Sequence, residues 1–190
     1  LDCSNGAACR IAPQVFKALG AEVAAINIDE DGRYINDNCG AVNAHMLCDK
    51  AKDFDVTFSF DGDSDRLIAL DEQGNIVDGD KNLYILGKYL NAKGMLKGDI
   101  VGTVMTNMGI EKAITDMGAD FVREDVGDKY ILRRLLSDGG ILGGEGSGHT
   151  IILSESSTGD GIQTAVILAK IIKESDKKLS QLAKLEIFPQ

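Results

Sequence analysis

Short apolar runs alternate with longer segments of helical spacing along the chain, and this order predicts a fold in which strands and helices follow one another. The predicted strands lie at residues 1–3, 22–28, 55–60, 67–70, 76–77, 99–105, 120–124, 141–142 and 150–153. The predicted helices lie at residues 11–19, 43–52, 83–90, 109–117, 130–136, 158–173 and 178–185. Asp80 is the expected N-cap of the helix at residues 83–90, and either Thr158 or Asp160 caps the long helix that follows them.

Two polar, glycine-containing loops interrupt this pattern in the same way. The acidic loop, residues 61–66, follows one predicted strand and leads into another. The glycine loop, residues 143–149, does the same in the second half of the chain. This pattern predicts two consecutive α/β domains with mixed sheets flanked by helices, related as a weak internal repeat. The predicted boundary lies near Asp78, so the two domains are residues 1–78 and 79–190.

Composition excludes several classes of protein. The 190 residues, 44% of them hydrophobic, suffice for one large or two small domains. A formal net charge of −10 argues against non-specific binding to nucleic acid or to an anionic membrane. No apolar run is long enough to span a bilayer, and no signal peptide is visible. The 4 cysteines contain no C-x-x-C pair, which predicts reduced thiols of a cytoplasmic protein rather than zinc ligands.

The acidic loop carries three carboxylates at alternate positions, Asp61, Asp63 and Asp65. Three neighbouring negative charges repel one another, and a hard divalent cation with its preference for oxygen ligands relieves that repulsion. Arg66 follows at once and presents a guanidinium fork suited to phosphate. A metal and an arginine at the end of a strand are what phosphoryl transfer requires. The alternative is a solvated acidic turn that binds nothing.

The residue at one loop position excludes a helix–loop–helix calcium site. Asp61, Asp63, Asp65 and Glu72 fall at positions one, three, five and twelve of such a loop. Position six requires glycine for its sharp turn, and this chain has Arg66 there. The flanking segments also have the pattern of strands rather than helices.

The glycine loop presents an acid, a hydroxyl and an imidazole on an otherwise bare backbone. Glu145 and Ser147 suit the hydroxyl groups of a sugar, and His149 exchanges protons near neutral pH. The same residues do not form a hydrolase triad, because no G-x-S-x-G elbow joins a strand to a helix here. Lys129 lies at a strand-to-helix junction, where a helix N-terminus attracts anions. The alternatives are a flexible glycine loop that binds no ligand and a solvated lysine at the start of an N-capped helix.

The run Asp-Gly-Asp-Ser-Asp-Arg at residues 61–66 resembles the metal-binding loop of the α-D-phosphohexomutases, which interconvert 1- and 6-phosphorylated sugars. This resemblance extends over essentially the whole chain. It implies that Asp61, Asp63 and Asp65 hold Mg²⁺ and that Arg66 takes part in catalysis next to them.

The glycine loop resembles the Gly-Glu-x-Ser-Gly-His sugar-recognition segment of the same family. The resemblance implies that Glu145 and Ser147 hold sugar hydroxyls, that His149 lies near the transferring phosphate as a catalytic residue, and that Lys129 contacts the substrate phosphate. The chain is most similar to members that act on hexosamine phosphates. Those members usually have Gln where this chain has Gly146, and Arg where it has Lys129, which leaves the sugar preference open.

Phosphohexomutases have four domains, and two of their motifs are missing from this sequence. There is no Ser-His-Asn-Pro run, whose serine carries the exchanged phosphate, and no Arg-x-Ser-Gly-Thr run, which grips the far phosphate. The resemblance therefore implies the second and third domains of a Mg²⁺-dependent mutase, without domains 1 and 4, and no turnover by this chain alone.

The implied reaction of the whole enzyme converts glucosamine 6-phosphate to glucosamine 1-phosphate through a phosphoserine and a bisphosphorylated intermediate. A phosphomannomutase or phosphoglucomutase fragment, a Mg²⁺-dependent sugar phosphatase and a non-catalytic sugar-phosphate-binding module are the alternatives. No nucleic acid or membrane is an expected partner, and the formation of a homodimer stays open.

Overall fold

The computed structural model describes residues 1–189, and Gln190, the last residue of the predicted second domain, lies outside them. The helices are Ala8–Ala18 (α1), Gly79–Ala92 (α2), Met108–Asp116 (α3), Asp128–Asp138 (α4), Gly161–Ser175 (α5) and Leu179–Leu182 (α6), with 3₁₀ segments at Ala41–Leu47 and Lys50–Asp53. The strands are Thr57–Phe60 (β1), Leu67–Leu70 (β2), Ile76–Val77 (β3), Ile100–Thr103 (β4), Phe121–Glu124 (β5), Leu142–Gly144 (β6) and Thr150–Ile152 (β7). The alternation of strands and helices that the pattern predicts is present.

The first sheet has the order β1-β2-β3, with both pairs antiparallel. Asp2 extends it through parallel bridges to Ser59 of β1 and to Ile26. All four residues of β1 and all four of β2 are buried. β2 is apolar throughout, whereas β1 alternates Phe58 and Phe60 with the polar Thr57 and Ser59. The acidic loop joins these two central strands.

The second sheet has the order β5-β4-β6-β7, in which β4 is parallel to both of its neighbours and β6 is antiparallel to β7. The first half repeats this arrangement: Asp2 lies parallel to Ile26 and to β1, and β1 is antiparallel to β2. The acidic loop between β1 and β2 is therefore equivalent to the glycine loop between β6 and β7. The predicted mixed α/β class with two sheets flanked by helices is confirmed.

One apolar core runs through both halves of the molecule. Phe58 of β1 and Leu67 of β2 belong to the same buried cluster as Leu83 of α2 and Leu142 of β6. α5 packs on β1 and β2, while α2 packs on β6 and on α5. Burial of each such side chain contributes about 1.5–3 kcal/mol, so this shared core holds the two sheets in a defined relation.

Three predicted elements differ from the structure. The strands expected at residues 1–3 and 22–28 are each reduced to a bridge, formed between Asp2 and Ile26. The helix expected at residues 43–52 forms two short 3₁₀ segments instead. Asn43 interrupts the first of them with non-helical backbone angles, φ −112° and ψ 22°.

The expected N-cap of α2, Asp80, is two residues from the observed one. Asp78 is the cap, since its side chain accepts the backbone N–H of Lys81 at 3.0 Å. Asp80 instead turns inward and accepts the N–H of Asn107 at 2.8 Å. For α5 the cap is Asp160, one of the two expected residues. Among the described residues, no helix combines the length and the apolarity that a membrane crossing requires.

Candidate functional site

The acidic loop brings its three carboxylates together through one unusual backbone conformation. Ser64 has φ +64°, in the left-handed region that residues other than glycine rarely adopt, and its N–H donates to the carbonyl of Asp61 at 3.1 Å. The chain turns tightly here, and ligand oxygens of Asp61, Asp63 and Asp65 lie within 4.8 Å of one another. Non-glycine residues in such conformations are found preferentially at functional sites.

Arg66 holds the first of these carboxylates. Its backbone N–H and its Nε donate to the two oxygens of Asp61 at 3.1 and 2.7 Å, and the Asp61 side chain is fully buried. Burial by itself would raise the pKa of Asp61, but the hydrogen bonds and the positive charge of Arg66 outweigh it and lower that pKa. Asp61 is therefore held in its ionised form.

Asp65 has the opposite electrostatic balance. Burial raises the pKa of Asp65, and the negative charge of Asp61 raises it further. Its Oδ1 is inaccessible to solvent and has no hydrogen-bond partner among the described residues. Three carboxylates whose oxygens lie within 4.8 Å of one another, one of them without a hydrogen-bond partner, supply the oxygen ligands that a hard divalent cation prefers, so the three aspartates fit Mg²⁺.

The glycine loop lies directly beside the acidic loop. Arg66 and His149 form an antiparallel bridge, and the N–H of Leu67 donates to the carbonyl of Gly148 at 3.1 Å. Gly148 has φ +101°, and a Cβ at this position would stand 2.5 Å from the carbonyl oxygen of Leu67. Only glycine permits this close approach of the two backbones.

A side-chain contact joins the two loops at the same place. Nδ1 of His149 lies 3.1 Å from Oδ2 of Asp65, and the imidazole is almost fully buried. Nε2 of His149 has no hydrogen-bond partner among the described residues. Gly159 leaves room for the ring, since a Cβ there would come within 2.5 Å of it. The sequence identified His149 and Asp65 separately, and the structure brings them together.

Glu145 connects the glycine loop to the start of α4. Its Oε1 accepts the N–H of Gly127 at 2.6 Å, and its Oε2 accepts the hydroxyl of Ser147 at 3.3 Å. Lys129 lies in the first turn of the same helix, is exposed, and has its Nζ 4.8 Å from the centre of the Tyr130 ring. The acidic loop, the glycine loop and the start of α4 are thus contiguous, and the exposed Lys129 lies at the edge of this group.

Asp80, which the sequence identified only as a helix cap, is a buried acid beneath the glycine loop. Its neighbour Gly79 donates its N–H to the carbonyl of Gly146 at 3.2 Å, and a Cβ on Gly146 would lie 3.6 Å from Oδ1 of Asp80. That Oδ1 is buried without a hydrogen-bond partner among the described residues. The sequence feature that could have indicated this buried acid is the Asp-Gly-Asp run at residues 78–80.

A cavity of about 440 Å³ lies elsewhere, against the first sheet, and is lined by apolar residues such as Phe16, Val23, Phe54 and Val56. None of the predicted site residues lines it. We therefore assign the chemistry to the joined loops rather than to this cavity, because the convergent polar groups that fix a ligand are gathered in the loops.

Comparison with protein families gives a match to the family described as phosphoglucomutase/phosphomannomutase, alpha/beta/alpha domain III, over residues 78–188. The chain is 49% identical over 196 residues to a phosphoglucosamine mutase of Dictyoglomus turgidum, an alignment that covers 100% of this chain and 43% of that protein. It is 47% identical over 192 residues to the phosphoglucosamine mutase of Thermotoga maritima, covering 45% of it. The chain thus spans less than half the length of these curated relatives.

Solved structures have the same fold. A phosphoglucomutase/phosphomannomutase family protein from Burkholderia thailandensis superposes with a TM-score of 0.85 at 26% identity, over 95% of this chain and 41% of that one. An N-acetylphosphoglucosamine mutase from Aspergillus fumigatus, in complex with GlcNAc-6P and magnesium, gives a TM-score of 0.77 at 19% identity, over 99% of this chain and 49% of that one. At 19% identity, the likeness to the Aspergillus fumigatus protein concerns the fold alone.

Proposed function

Since this chain belongs to the phosphoglucomutase/phosphomannomutase family, we propose that it supplies the metal-binding and sugar-binding loops of a Mg²⁺-dependent phosphosugar mutase. The resemblance to α-D-phosphohexomutases seen in the sequence is confirmed by the family match and by relatives aligned along the whole chain. The proposed substrates are hexosamine phosphates, with glucosamine 6-phosphate and glucosamine 1-phosphate the first pair to test. The observation that carries the proposal is the contact between Asp65 and His149, which joins the two loops into one site.

Asp61, Asp63 and Asp65 are the proposed Mg²⁺ ligands. Bound there, the ion supplies electrostatic stabilisation of the negative charge on a transferring phosphoryl group. Asp61 enters this set already ionised because Arg66 holds it. Oδ1 of Asp65 has no hydrogen-bond partner among the described residues and would be available to such an ion, whereas Oδ2 lies 3.1 Å from Nδ1 of His149.

Arg66 is proposed to bind phosphate with the part of its guanidinium that Asp61 does not use. Of the guanidinium nitrogens, only Nε is hydrogen-bonded to Asp61 among the described residues, which leaves Nη1 and Nη2 to donate to phosphate. A guanidinium fork matches two phosphate oxygens. Arg66 thereby links the acidic loop to the substrate while fixing one of the metal ligands.

His149 is proposed to move a proton at Nε2. When Nδ1–H is donated to Asp65, Nε2 carries the lone pair and is the ring atom that can accept and return a proton. Nε2 is buried beside Gly159, so a sugar hydroxyl would reach it only after that backbone moves. The carboxylate also fixes the orientation of the ring. Glu145, through Oε2, and Ser147 are proposed to orient the sugar by hydrogen bonds, and Lys129 to add a positive charge for phosphate at the margin.

A phosphatase mechanism is disfavoured by the position of the first aspartate. Such an enzyme would use Asp61 as its nucleophile. Both oxygens of Asp61 accept hydrogen bonds from Arg66, which stabilise the carboxylate, lower its pKa and so weaken it as a nucleophile. Release of inorganic phosphate from a sugar phosphate by the purified chain would reverse this assignment.

The chain by itself is proposed to bind but not to turn over. The phosphoserine run of the family is missing from this sequence, and none of the assigned roles in the acidic loop is that of a nucleophile. We expect purified chain to show no conversion of glucosamine 6-phosphate to glucosamine 1-phosphate. Sustained conversion would contradict the proposal.

Calorimetric titration tests the binding part directly. We expect Mg²⁺ to bind wild-type chain, glucosamine 6-phosphate to bind more tightly with Mg²⁺ than without it, and Asp63→Asn to lose both effects. Asp53→Asn is the matched control, because Asp53 is also an exposed acid but lies in a 3₁₀ segment away from the loops. Equal behaviour of the two variants would refute the metal site, and Mg²⁺-independent sugar-phosphate binding would favour a non-catalytic module.

A further inference from the structure

The acidic loop rests on two backing segments from earlier in the chain. The first is residues 4–7, between Asp2 and α1. The N–H of Ala7 donates to the carbonyl of Gly62 at 2.9 Å, and a Cβ on Gly6 would overlap the same carbonyl oxygen. This segment therefore lies against the acidic loop with no space between the two backbones.

The second backing segment is residues 35–40. A Cβ on Gly62 would stand 2.5 Å from Cγ2 of Ile35 and 2.9 Å from Nδ2 of Asn36. A Cβ on Gly40 would stand 2.8 Å from the carbonyl oxygen of Phe60, the last residue before the loop. Gly62 is thus packed between two segments, and the position of either one determines where the acidic loop lies.

A single buried carboxylate anchors both segments. Oδ1 of Asp2 accepts the N–H of Ser4 at 3.0 Å and Nδ2 of Asn27 at 2.9 Å. Oδ2 accepts the N–H of Gly40 at 2.8 Å and the hydroxyl of Ser59 at 3.1 Å. Asp2 is 1% exposed, and four donors fill the acceptor sites of its carboxylate. One acid therefore ties the beginning of one backing segment and the end of the other to strand β1.

We propose that Asp2 is a positioning residue of the metal site: its carboxylate fixes both backing segments against Gly62, and so sets the geometry of the three aspartates. The inference rests on the proposed metal site. Groups beyond the direct ligands orient those ligands, and their loss typically lowers metal affinity about 10- to 100-fold. Asp2 is expected to act in this way although it belongs to a different strand and is not itself a ligand.

Asp71 provides a matched control in the same sheet. It is 3% exposed and accepts the N–H groups of Gln73 and Asn75 at 2.9 and 2.8 Å, together with Nδ2 of Asn75. It follows the other end of β2 and closes the turn to β3, so its donors lie outside the acidic loop and its backing segments. Both acids are buried and anchor backbone, but only Asp2 is connected to the acidic loop.

The experiment compares Asp2→Asn with Asp71→Asn by Mg²⁺ titration and by amide hydrogen exchange. Both variants are expected to lose stability. Only Asp2→Asn is expected to lower Mg²⁺ affinity, by about 10- to 100-fold, and to speed exchange of the Ala7 amide. Asp71→Asn is expected to keep the wild-type affinity within about twofold and to speed exchange of the Asn75 amide instead.

Ser59→Ala covers the case in which Asp2→Asn does not fold, and it leaves the charge of Asp2 unchanged. It removes one donor to that carboxylate, so we expect a smaller loss of Mg²⁺ affinity, about two- to tenfold. Asn75→Ala, which removes a donor to Asp71, is its control and is expected to keep the wild-type affinity.

The two arms separate failure of the inference from failure of the metal site. Wild-type Mg²⁺ affinity retained in Asp2→Asn or in Ser59→Ala would overturn the role of Asp2 and leave the metal site standing. No Mg²⁺ binding by the wild-type chain would overturn the metal site. In that case the Ala7 amide decides whether Asp2 positions the loop, and unchanged exchange there would overturn the inference as well.

Discussion

Gly148→Ala tests whether the close approach of the two loops is a packing constraint of the folded protein. An alanine at this position must adopt a backbone with φ +101° and must place its Cβ 2.5 Å from the carbonyl oxygen of Leu67. The left-handed conformation costs about 1–2 kcal/mol. Lower entropy of the unfolded chain offsets about 0.4–1 kcal/mol of this cost. The overlap then forces the strands apart and weakens the 3.1 Å hydrogen bond between Leu67 and Gly148, a further loss of about 0.5–1.5 kcal/mol before any repacking.

The expected destabilisation by Gly148→Ala is about 2–4 kcal/mol once displacement of the two backbones is included. Gly118→Ala is the matched control, because Gly118 has φ +81° but no atom within 4 Å of the position of a Cβ. It is expected to cost about 1 kcal/mol. For a chain of this size the Tm values should fall by about 5–15 °C and about 2–4 °C, respectively.

Urea unfolding followed by circular dichroism measures both free energies, and hydrogen exchange at the Leu67 amide reports the affected hydrogen bond. Gly148→Ala should speed that exchange, whereas Gly118→Ala should not. Equal loss of stability in the two variants, with unchanged exchange at Leu67, would refute the reasoning. The contact between the loops would then be loose enough to accommodate a methyl group.

Three further predictions concern the metal, a buried acid and the thiols. Mg²⁺ at about 100 times its dissociation constant should stabilise the wild-type chain by about 2.7 kcal/mol in thermal unfolding, and Asp63→Asn should abolish that gain. Burial raises the pKa of Asp80, so the folded state binds this proton more tightly than the unfolded state. As the pH rises from the ordinary carboxyl value through the raised one, the wild-type chain should lose stability relative to Asp80→Asn. Burial raises the pKa of the Cys3 thiol to about 12, and Cys48 is the one half-buried cysteine of the four, so iodoacetamide should label Cys48 first and Cys3 only after unfolding.

Each of these predictions has a contradicting result. Stabilisation by Mg²⁺ that survives Asp63→Asn would place the ion elsewhere. Unfolding free energies of wild type and Asp80→Asn that stay parallel across the acid range would show that Asp80 is not perturbed by burial. Labelling of Cys3 in native protein at the same rate as Cys48, measured by mass spectrometry, would show that the segment around Cys3 opens readily.

The order of strands and helices was accessible from sequence because periodicity and turn residues act over a few neighbouring positions. β1 and β2 were predicted well because both are fully buried, β2 with apolar side chains throughout and β1 with Phe58 and Phe60. The segment at residues 22–28 was also apolar, yet it forms only a bridge at Ile26. Whether such a run becomes a strand depends on the length of the partner beside it, and local pattern does not contain that information.

The candidate residues were accessible from sequence because they occur in short runs of unusual composition. Asp61, Asp63 and Asp65 alternate within one loop, and Glu145 and His149 share another. Their proposed roles remain predictions. What the residue types indicated was the chemistry available to each loop, and not the neighbours that each side chain would meet in the folded molecule.

Only the tertiary structure decided which of these groups act together. The contact of Asp65 with His149 joins residues 84 positions apart, and that of Asp2 with Ser59 joins residues 57 positions apart. Asp80 was expected to cap a helix and is buried against Asn107 instead. The physical reason is that a buried polar group must find its partner wherever the packed sheets place one. The chain order thus determined the elements and the chemistry of the loops, while the pairing of the sheets determined the site.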